Sequence, residues 1–213
     1  MYKTIVFDLD GTLLDTLEDL TDATNFALTK FGLPSRSQEE VCSFVGNGIF
    51  KLMERAIGGR LPNVEEALAV FKDYYAKHCA EKTKPYEGIL PLLQALKERG
   101  VQTAVLSNKA DFAVKELAKT YFDGLLLLAV GENEALGIRK KPMPDALFSV
   151  MKTLQAEPQT TLYVGDSEVD IQTAKNAGID CLCVTWGFRT RDFLEAQGGK
   201  IFVDHPKEIL SFC

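Results

Sequence analysis

The sequence predicts an α/β protein: a Rossmann-like parallel sheet with helices on both faces, interrupted early by a small inserted α-helical cap domain. Three observations point there. The chain opens on a short β-prone segment, Thr4-Ile5-Val6-Phe7, that ends abruptly in Asp8-Leu9-Asp10-Gly11-Thr12. Residues 15–84 then show helical periodicity without a convincing strand. From Pro85 onward short apolar runs alternate with helical segments, and such alternation forces a mostly parallel sheet covered on both faces. The expected division is a catalytic core of residues 1–14 and 85–213 and a helical cap of residues 15–84.

Taken in order, Thr4–Phe7 reads as a buried strand, because a brief apolar run closed by a turn signal suits a parallel sheet. In the insert, Asp15 or Thr16 caps a helix whose Leu17, Leu20, Thr24, Ala27, Leu28 and Phe31 recur at helical spacing until Gly32-Leu33-Pro34 stops it. Ser37 caps a second helix that reaches Phe44. Gly46-Asn47-Gly48 precedes a third, with Ile49, Leu52, Met53, Ala56 and Ile57 on one face and Gly58-Gly59 at its end. A fourth runs from Val64 to the neighbourhood of Ala80, its apolar side made of Ala67, Leu68, Phe71, Tyr74 and Tyr75. In the core, helices over Pro91–Arg99, Asp111–Lys119, Pro144–Leu154 and Asp170–Ala177 alternate with strands over Gln102–Leu106, Leu125–Val130, Thr161–Val164 and Cys181–Thr185. Ile201–Val203 is a short last strand and Pro206–Phe212 a closing turn or helix.

Composition narrows the function classes. At 213 residues, 46% hydrophobic and 25% charged, the chain has the make-up of a globular protein with one well-filled core and a smaller insert. No apolar run is long enough to span a membrane as a helix. The first strand begins at Thr4, which leaves no room for a cleavable leader. Five cysteines (Cys42, Cys79, Cys181, Cys183 and Cys213) without C-x-x-C spacing point to free thiols in a reducing cytoplasm. The net charge of −6 argues against a nucleic-acid surface. It leaves an anionic substrate open, since a bound metal and one or two lysines set the local field.

Open parallel sheets bind ligands beyond the carboxyl ends of their strands. Here the first strand ends in Asp8-x-Asp10, the second in Ser107-Asn108-Lys109, and a later one in Gly165-Asp166-Ser167-Glu168-Val169-Asp170. Lys140-Lys141-Pro142-Met143-Pro144 sets a basic pair just before a helix. Alternation sends Asp8 and Asp10 to one side with Leu9 turned away. Two carboxylates so placed repel, which calls for a shared proton or for a cation between them. A hard oxygen-seeking ion such as Mg²⁺, which keeps company with phosphates, answers that need. Gly11 permits a tight turn and Thr12 returns a hydroxyl and an N–H toward the same point.

In order and spacing these residues resemble the four motifs of the haloacid dehalogenase-like (HAD) phosphohydrolase superfamily. Asp8-Leu9-Asp10-Gly11-Thr12 is similar to its first motif, Ser107 to the second, Lys141-Pro142 to the third, and Gly165-Asp166-Ser167 with Asp170 to the fourth. The helical segment 15–84 resembles the superfamily's cap, inserted after the first strand. The resemblance implies a phosphatase in which Asp8 attacks phosphorus to form an aspartyl-phosphate, while Asp10 serves as acid and then base. It implies Mg²⁺ held by Asp8, the Asp10 backbone carbonyl and Asp166. Lys141 would pair with Asp8 and a phosphoryl oxygen, and Ser107, with N–H groups around Gly11, Thr12 and Asn108, would bind the others. Asp170 would orient Lys141 or metal-bound water. An Asp at position 10 points to phosphate chemistry, since a halide leaving group needs no acid.

Phe44-Val45-Gly46-Asn47-Gly48 with Leu52-Met53-Glu54-Arg55-Ala56 resembles the phosphoglycolate phosphatase branch. This implies that Gly46, Asn47 and Gly48, with Lys51 or Arg55, meet the organic part of the substrate when the cap closes. Trp186-Gly187-Phe188-Arg189 also looks like that branch, as framework without chemistry. Gly131-Glu132-Asn133-Glu134 departs from it by lacking an Asp soon after the third strand. The expected substrate is a small phosphorylated metabolite, 2-phosphoglycolate first, acted on by a monomer or homodimer. A sugar-phosphate mutase or other phosphotransferase, a nucleotidase and a pyrophosphatase share the core motifs. A binding protein on a dead scaffold would tolerate loss of Asp8, Lys141 or Asp166, and all three are present.

Overall fold

Strand β1 (Thr4–Phe7) is buried along its whole length, as a strand covered on both faces must be. The structure is a computed structural model that describes residues 1–132 and 137–213. Asn133 and Glu134, part of the departure noted above, lie outside the described residues. β1 pairs in parallel with β4 (Gln102–Ala110) on one side and β6 (Thr161–Gly165) on the other. β5 (Leu128–Glu132) extends the sheet past β4, while β7 (Asp180–Val184) and β8 (Ile201–Val203) extend it past β6. The six strands thus run in the order β5-β4-β1-β6-β7-β8, and every neighbouring pair is parallel.

Register explains where chemistry collects. Phe7 lies opposite Val105 and Val164, so Asp8, the Ser107 segment and Asp166 leave the sheet at one edge. The strand order reverses beside β1, which is the place where an open α/β sheet leaves a crevice. Helices α7 (Asp145–Leu154) and α8 (Glu168–Ala177) cover one face, packing Leu147, Val150, Met151 and Ala174 onto Val6, Ala104, Leu106 and Tyr163. Side chains alternate along β1, so Asp8 projects to the face of Val6 and therefore toward α7 and α8. Helices α5 (Ile89–Glu98) and α6 (Asp111–Phe122) pack on β4 and β5.

Several boundaries differ from expectation for identifiable reasons. α5 begins at Ile89 rather than Pro91, because proline is tolerated in a first turn whose N–H groups have no helical partner. α8 begins at Glu168 rather than Asp170, since Ser167 caps it and Asp170 completes the capping box. β5 starts at Leu128 rather than Leu125: Leu125 N–H closes a turn on Phe122 O at 2.9 Å, and Leu127 is exposed. β4 continues beyond Leu106 to Ala110 through a shift of register. No helix among the described residues is long and apolar enough to cross a membrane.

By the density of internal contacts the chain divides into two units, residues 1–14 with 85–213 and residues 15–84. The second unit holds α1 (Leu17–Lys30), α2 (Gln38–Phe44), α3 (Ile49–Ile57) and α4 (Val64–His78). Its interior gathers Leu20, Ala27, Leu28, Met53, Ile57 and Phe71, all essentially inaccessible. Tyr74 leaves the expected apolar face and stacks between Phe26 and His78, at centroid distances of 4.3 and 4.1 Å. The chain passes between the units at Leu14–Asp15 and at Lys84–Pro85, the short strands β2 and β3.

Asp19 of α1 is a buried carboxylate in the helical unit. It accepts from Lys82 N–H at 3.1 Å to each oxygen and from Thr83 N–H at 2.8 Å. These bonds satisfy two backbone donors in the segment that follows α4, and charge strengthens them. Replacing Asp19 by Ala removes the acceptor of both donors and leaves the Thr83 N–H, in a buried residue, without it. Asp19→Ala is expected to cost about 2–4 kcal/mol in urea denaturation, whereas Asp22→Ala, at a more accessible position on the same helix, is expected to cost under about 1 kcal/mol.

Candidate active site

Beyond β1 the chain folds into a compact knot around one carbonyl. The N–H groups of Thr12, Leu13 and Leu14 all point to Leu9 O, at 3.3, 3.0 and 3.0 Å. Gly11 makes this possible with φ of +84°, and a Cβ there would overlap the Asp166 carboxylate. The knot turns Leu9 into the core and leaves Asp8 and Asp10 at the sheet edge.

Lys141, which precedes α7, is drawn into that edge. Its Nζ lies 2.9 Å from Asp8 Oδ1, 2.7 Å from Asp170 Oδ1 and 3.0 Å from the Tyr163 hydroxyl. Both the Lys141 contact and the 2.7 Å bond from Leu9 N–H go to Asp8 Oδ1. Asp170 is wholly buried, and its Oδ2 accepts from Ser167 N–H and Oγ–H at 3.1 and 2.6 Å. Both Asp170 oxygens are therefore engaged, one of them on the lysine. The Lys141 backbone is clasped by Asn108, whose Oδ1 accepts from Lys141 N–H and whose Nδ2 donates to Lys141 O, each at 2.9 Å. This use of the Asn108 side chain was not among the sequence expectations.

Asp166, after β6, accepts from Thr12 Oγ1 at 3.1 Å and from Phe188 N–H at 2.7 Å. Thr12 thus directs its hydroxyl to Asp166 rather than outward. The Trp186–Arg189 segment, expected to carry no chemistry, closes on this carboxylate. Trp186 Nε1–H donates to Thr12 O at 3.0 Å, and a Cβ on Gly187 would overlap both Asp166 and Gly11 O. Arg189 reaches Glu168 at 3.3 Å across the same corner. Sequence reasoning gave the segment a framework role but not its target, because 22 residues separate Phe188 from Asp166.

The remaining expected residues fall in two places. Ser107 is buried, with Oγ accepting from Lys109 N–H at 3.2 Å. Asp10 carries an ion pair with Lys109 at 2.7 Å. Gly46, Asn47 and Gly48 belong to the helical unit, between α2 and α3, where Arg55 donates to Asn47 Oδ1 at 2.7 Å and to Phe44 O at 2.8 Å. Lys51 pairs with Glu54 at 2.6 Å.

Charge sets the behaviour of the cluster. Asp8, Asp166 and Asp170 are 8, 1 and 0% exposed. Each offers an oxygen within 4.8 Å of the others. Burial pushes the Asp8 carboxyl up to about 7, with Asp170 and Asp10 adding to the shift against Lys141. Burial, then the Asp170 and Asp8 charges, likewise hold Asp166 well above the carboxylate range. Burial opposes the Lys141 charge, yet Asp170 and Asp8 outweigh it and keep the ammonium well above its ordinary value. Lys141 faces Asp8 and Asp170, while the donors on Asp166 are neutral. An all-oxygen set with surplus negative charge suits a hard divalent cation such as Mg²⁺.

Known proteins resemble this chain over most of its length. The family model described as haloacid dehalogenase-like hydrolase matches residues 5–184. The chain is 34% identical to the phosphoglycolate phosphatase of Pseudomonas putida over 99% of its own length and 79% of that protein's. It is 32% identical to the N-acetylmuramic acid 6-phosphate phosphatase of Pseudomonas aeruginosa, over 98% of this chain and 93% of that one. A crystal structure from Lactobacillus delbrueckii subsp. bulgaricus, of a protein carrying a provisional phosphoglycolate phosphatase assignment, superposes with a TM-score of 0.92. That chain is 38% identical, with 98% of this chain and 96% of that one covered.

The Asp8 shift has a consequence for stability without metal. Its folded carboxyl titrates near 7, above the ordinary unfolded value of about 3.9. The folded state therefore keeps a proton that the unfolded state has released, and stability falls as pH rises from about 4 to about 7. Asp8→Asn removes this contribution. In EDTA, the thermal midpoint of Asp8→Asn is expected to rise relative to wild type as pH goes from 5 to 7.5 (the two assay conditions, ~2.5 units apart). A difference that shrinks over this range would contradict the assignment.

Proposed function

The chain belongs to the haloacid dehalogenase-like hydrolase family and is a phosphatase, and we propose that it is a Mg²⁺-dependent phosphomonoesterase that works through a phosphorylated Asp8. The observation that carries the proposal is the Lys141 ammonium set between Asp8 and Asp170, at 2.9 and 2.7 Å, with Asp10 two residues from Asp8 at the same sheet edge. A carboxylate so held is a nucleophile with a fixed counter-charge beside it.

In the first step an Asp8 oxygen forms a bond to phosphorus as the ester P–O bond breaks, and Asp10 gives a proton to the departing oxygen. In the second, Asp10 takes a proton from water, the water oxygen bonds to phosphorus, and the bond to Asp8 breaks to release phosphate. Lys141 attracts the phosphoryl oxygens as a point charge. The Ser107 oxygen accepts from Lys109 N–H, which leaves the hydroxyl proton to donate to a phosphoryl oxygen. Asp170 acts through Lys141, whose ammonium it holds. Asp8, Asp166 and the Asp10 backbone carbonyl are the groups that would hold Mg²⁺, which when bound supplies positive charge against the phosphate.

The first substrate proposed is 2-phosphoglycolate, supported by the relative from Pseudomonas putida. N-acetylmuramic acid 6-phosphate is the second reading, supported by the relative of which the chain covers 93%. Phosphate release from a panel holding both, with sugar phosphates, nucleotides and pyrophosphate, separates them. Preference for 2-phosphoglycolate, abolished by EDTA and restored by Mg²⁺, is expected. Transfer to an added sugar phosphate in place of water would identify a mutase instead. Asp8→Asn is expected to lower turnover at least about a thousandfold with the circular dichroism spectrum unchanged; turnover near wild type would exclude Asp8 as nucleophile.

A further inference from the structure

The mechanism above employs one of two lysines buried at this sheet edge. Lys109 is the other. It stands at the end of β4, 4% exposed, with Nζ 2.7 Å from Asp10 Oδ1. Only 2% of its side chain and 13% of the Asp10 side chain are accessible. A long cationic side chain is rarely buried this far without a partner that repays desolvation. We infer that Lys109 is a positioning residue for proton transfer: it fixes the orientation in which the Asp10 carboxyl meets the leaving oxygen. This rests on the reading of Asp10 as acid and base.

Local structure directs Lys109 to this task. β4 loses its register with β5 between Leu106 and Ala110, and Ser107, Asn108 and Lys109 are all buried. Each has a different target: Ser107 Oγ accepts from Lys109 N–H, Asn108 clasps the Lys141 backbone, and Lys109 Nζ crosses to Asp10. The irregular end of β4 thus reaches the segment before α7 through Asn108 and the segment after β1 through Lys109. Asp10 lies past the last residue of β1, so the sheet ladder does not hold its side chain. A charge-assisted bond from Lys109 supplies that restraint. Displacing a reacting group by about 1 Å costs on the order of a hundredfold in rate.

The leaving group reports the role. An alkyl phosphate such as 2-phosphoglycolate needs a proton on its departing oxygen, whereas p-nitrophenyl phosphate leaves as a stable phenolate. The parameter kcat/KM covers the steps through leaving-group departure and omits the later hydrolysis. With Mg²⁺ present, Lys109→Met is expected to lower kcat/KM for 2-phosphoglycolate about 10- to 100-fold and for p-nitrophenyl phosphate less than about 3-fold. In an Asp10→Asn background the same change is expected to add less than about 2-fold on either substrate, because Lys109 acts through Asp10. Lys109→Arg keeps the charge and is expected to recover part of the alkyl-phosphate rate. If Lys109→Met does not fold, Lys109→Arg is judged by the same ratio of alkyl to aryl rates. Equal losses on both substrates, or a full further loss beside Asp10→Asn, would overturn the inference. Wild-type protein that cleaves neither ester would fail the phosphatase reading itself, which is a separate outcome.

Discussion

Four aspartates brought to one edge of a buried sheet, with two lysines among them, are the constraint around which the core is arranged. Charge in such a place is tolerated only when each group has a partner with good geometry. Every local device at the edge meets that demand. The Leu9 carbonyl knot turns the chain inside the reach of Asp166. Asn108 holds the Lys141 backbone while Asp8 and Asp170 divide its ammonium. The Trp186–Phe188 segment closes over Asp166 and the Thr12 carbonyl.

The partners do not balance the charge, and this imbalance links structure to function. Burial raises the Asp8 and Asp166 carboxyls, so without a cation their protonated forms are favoured. On the function proposed above, a cation bound there would compete with those protons, so its binding would release them. The rest of the sheet supports the site: β1 lies between two parallel neighbours, and α7 and α8 seal the face toward which Asp8 and Lys141 turn. Natural proteins commonly accept such local cost at a working site.

The alternation of strands and helices after Pro85 was legible because each apolar run is short and punctuated, and the sheet is parallel as that alternation requires. Asp8 and Asp166 could be picked out because each follows a strand and Lys141 because it precedes a helix, with Asp170 four residues after Asp166. Lys109 was not, although its place beside Ser107 and Asn108 was plain: period-two reasoning stops where β4 loses register. The Trp186 segment reaches Asp166 through the Phe188 backbone N–H, a group that every residue but proline carries, so no residue type marks that one contact. Asp19 was equally hidden, since a carboxylate in a first helical turn is ordinarily a solvated one. What the sequence conveyed least was side-chain destination, which depends on contacts between residues far apart in the chain.

Covalent trapping at Asp8 tests the central claim most directly. Protein turning over substrate with Mg²⁺ would be quenched and treated with borohydride, which reduces an acyl phosphate but spares a free carboxylate, and then mapped by peptide mass spectrometry. Conversion of Asp8 to homoserine, dependent on substrate and absent without it, is the expected result. Sustained turnover with Asp8 unmodified, or with the reduced residue elsewhere in the chain, would contradict it.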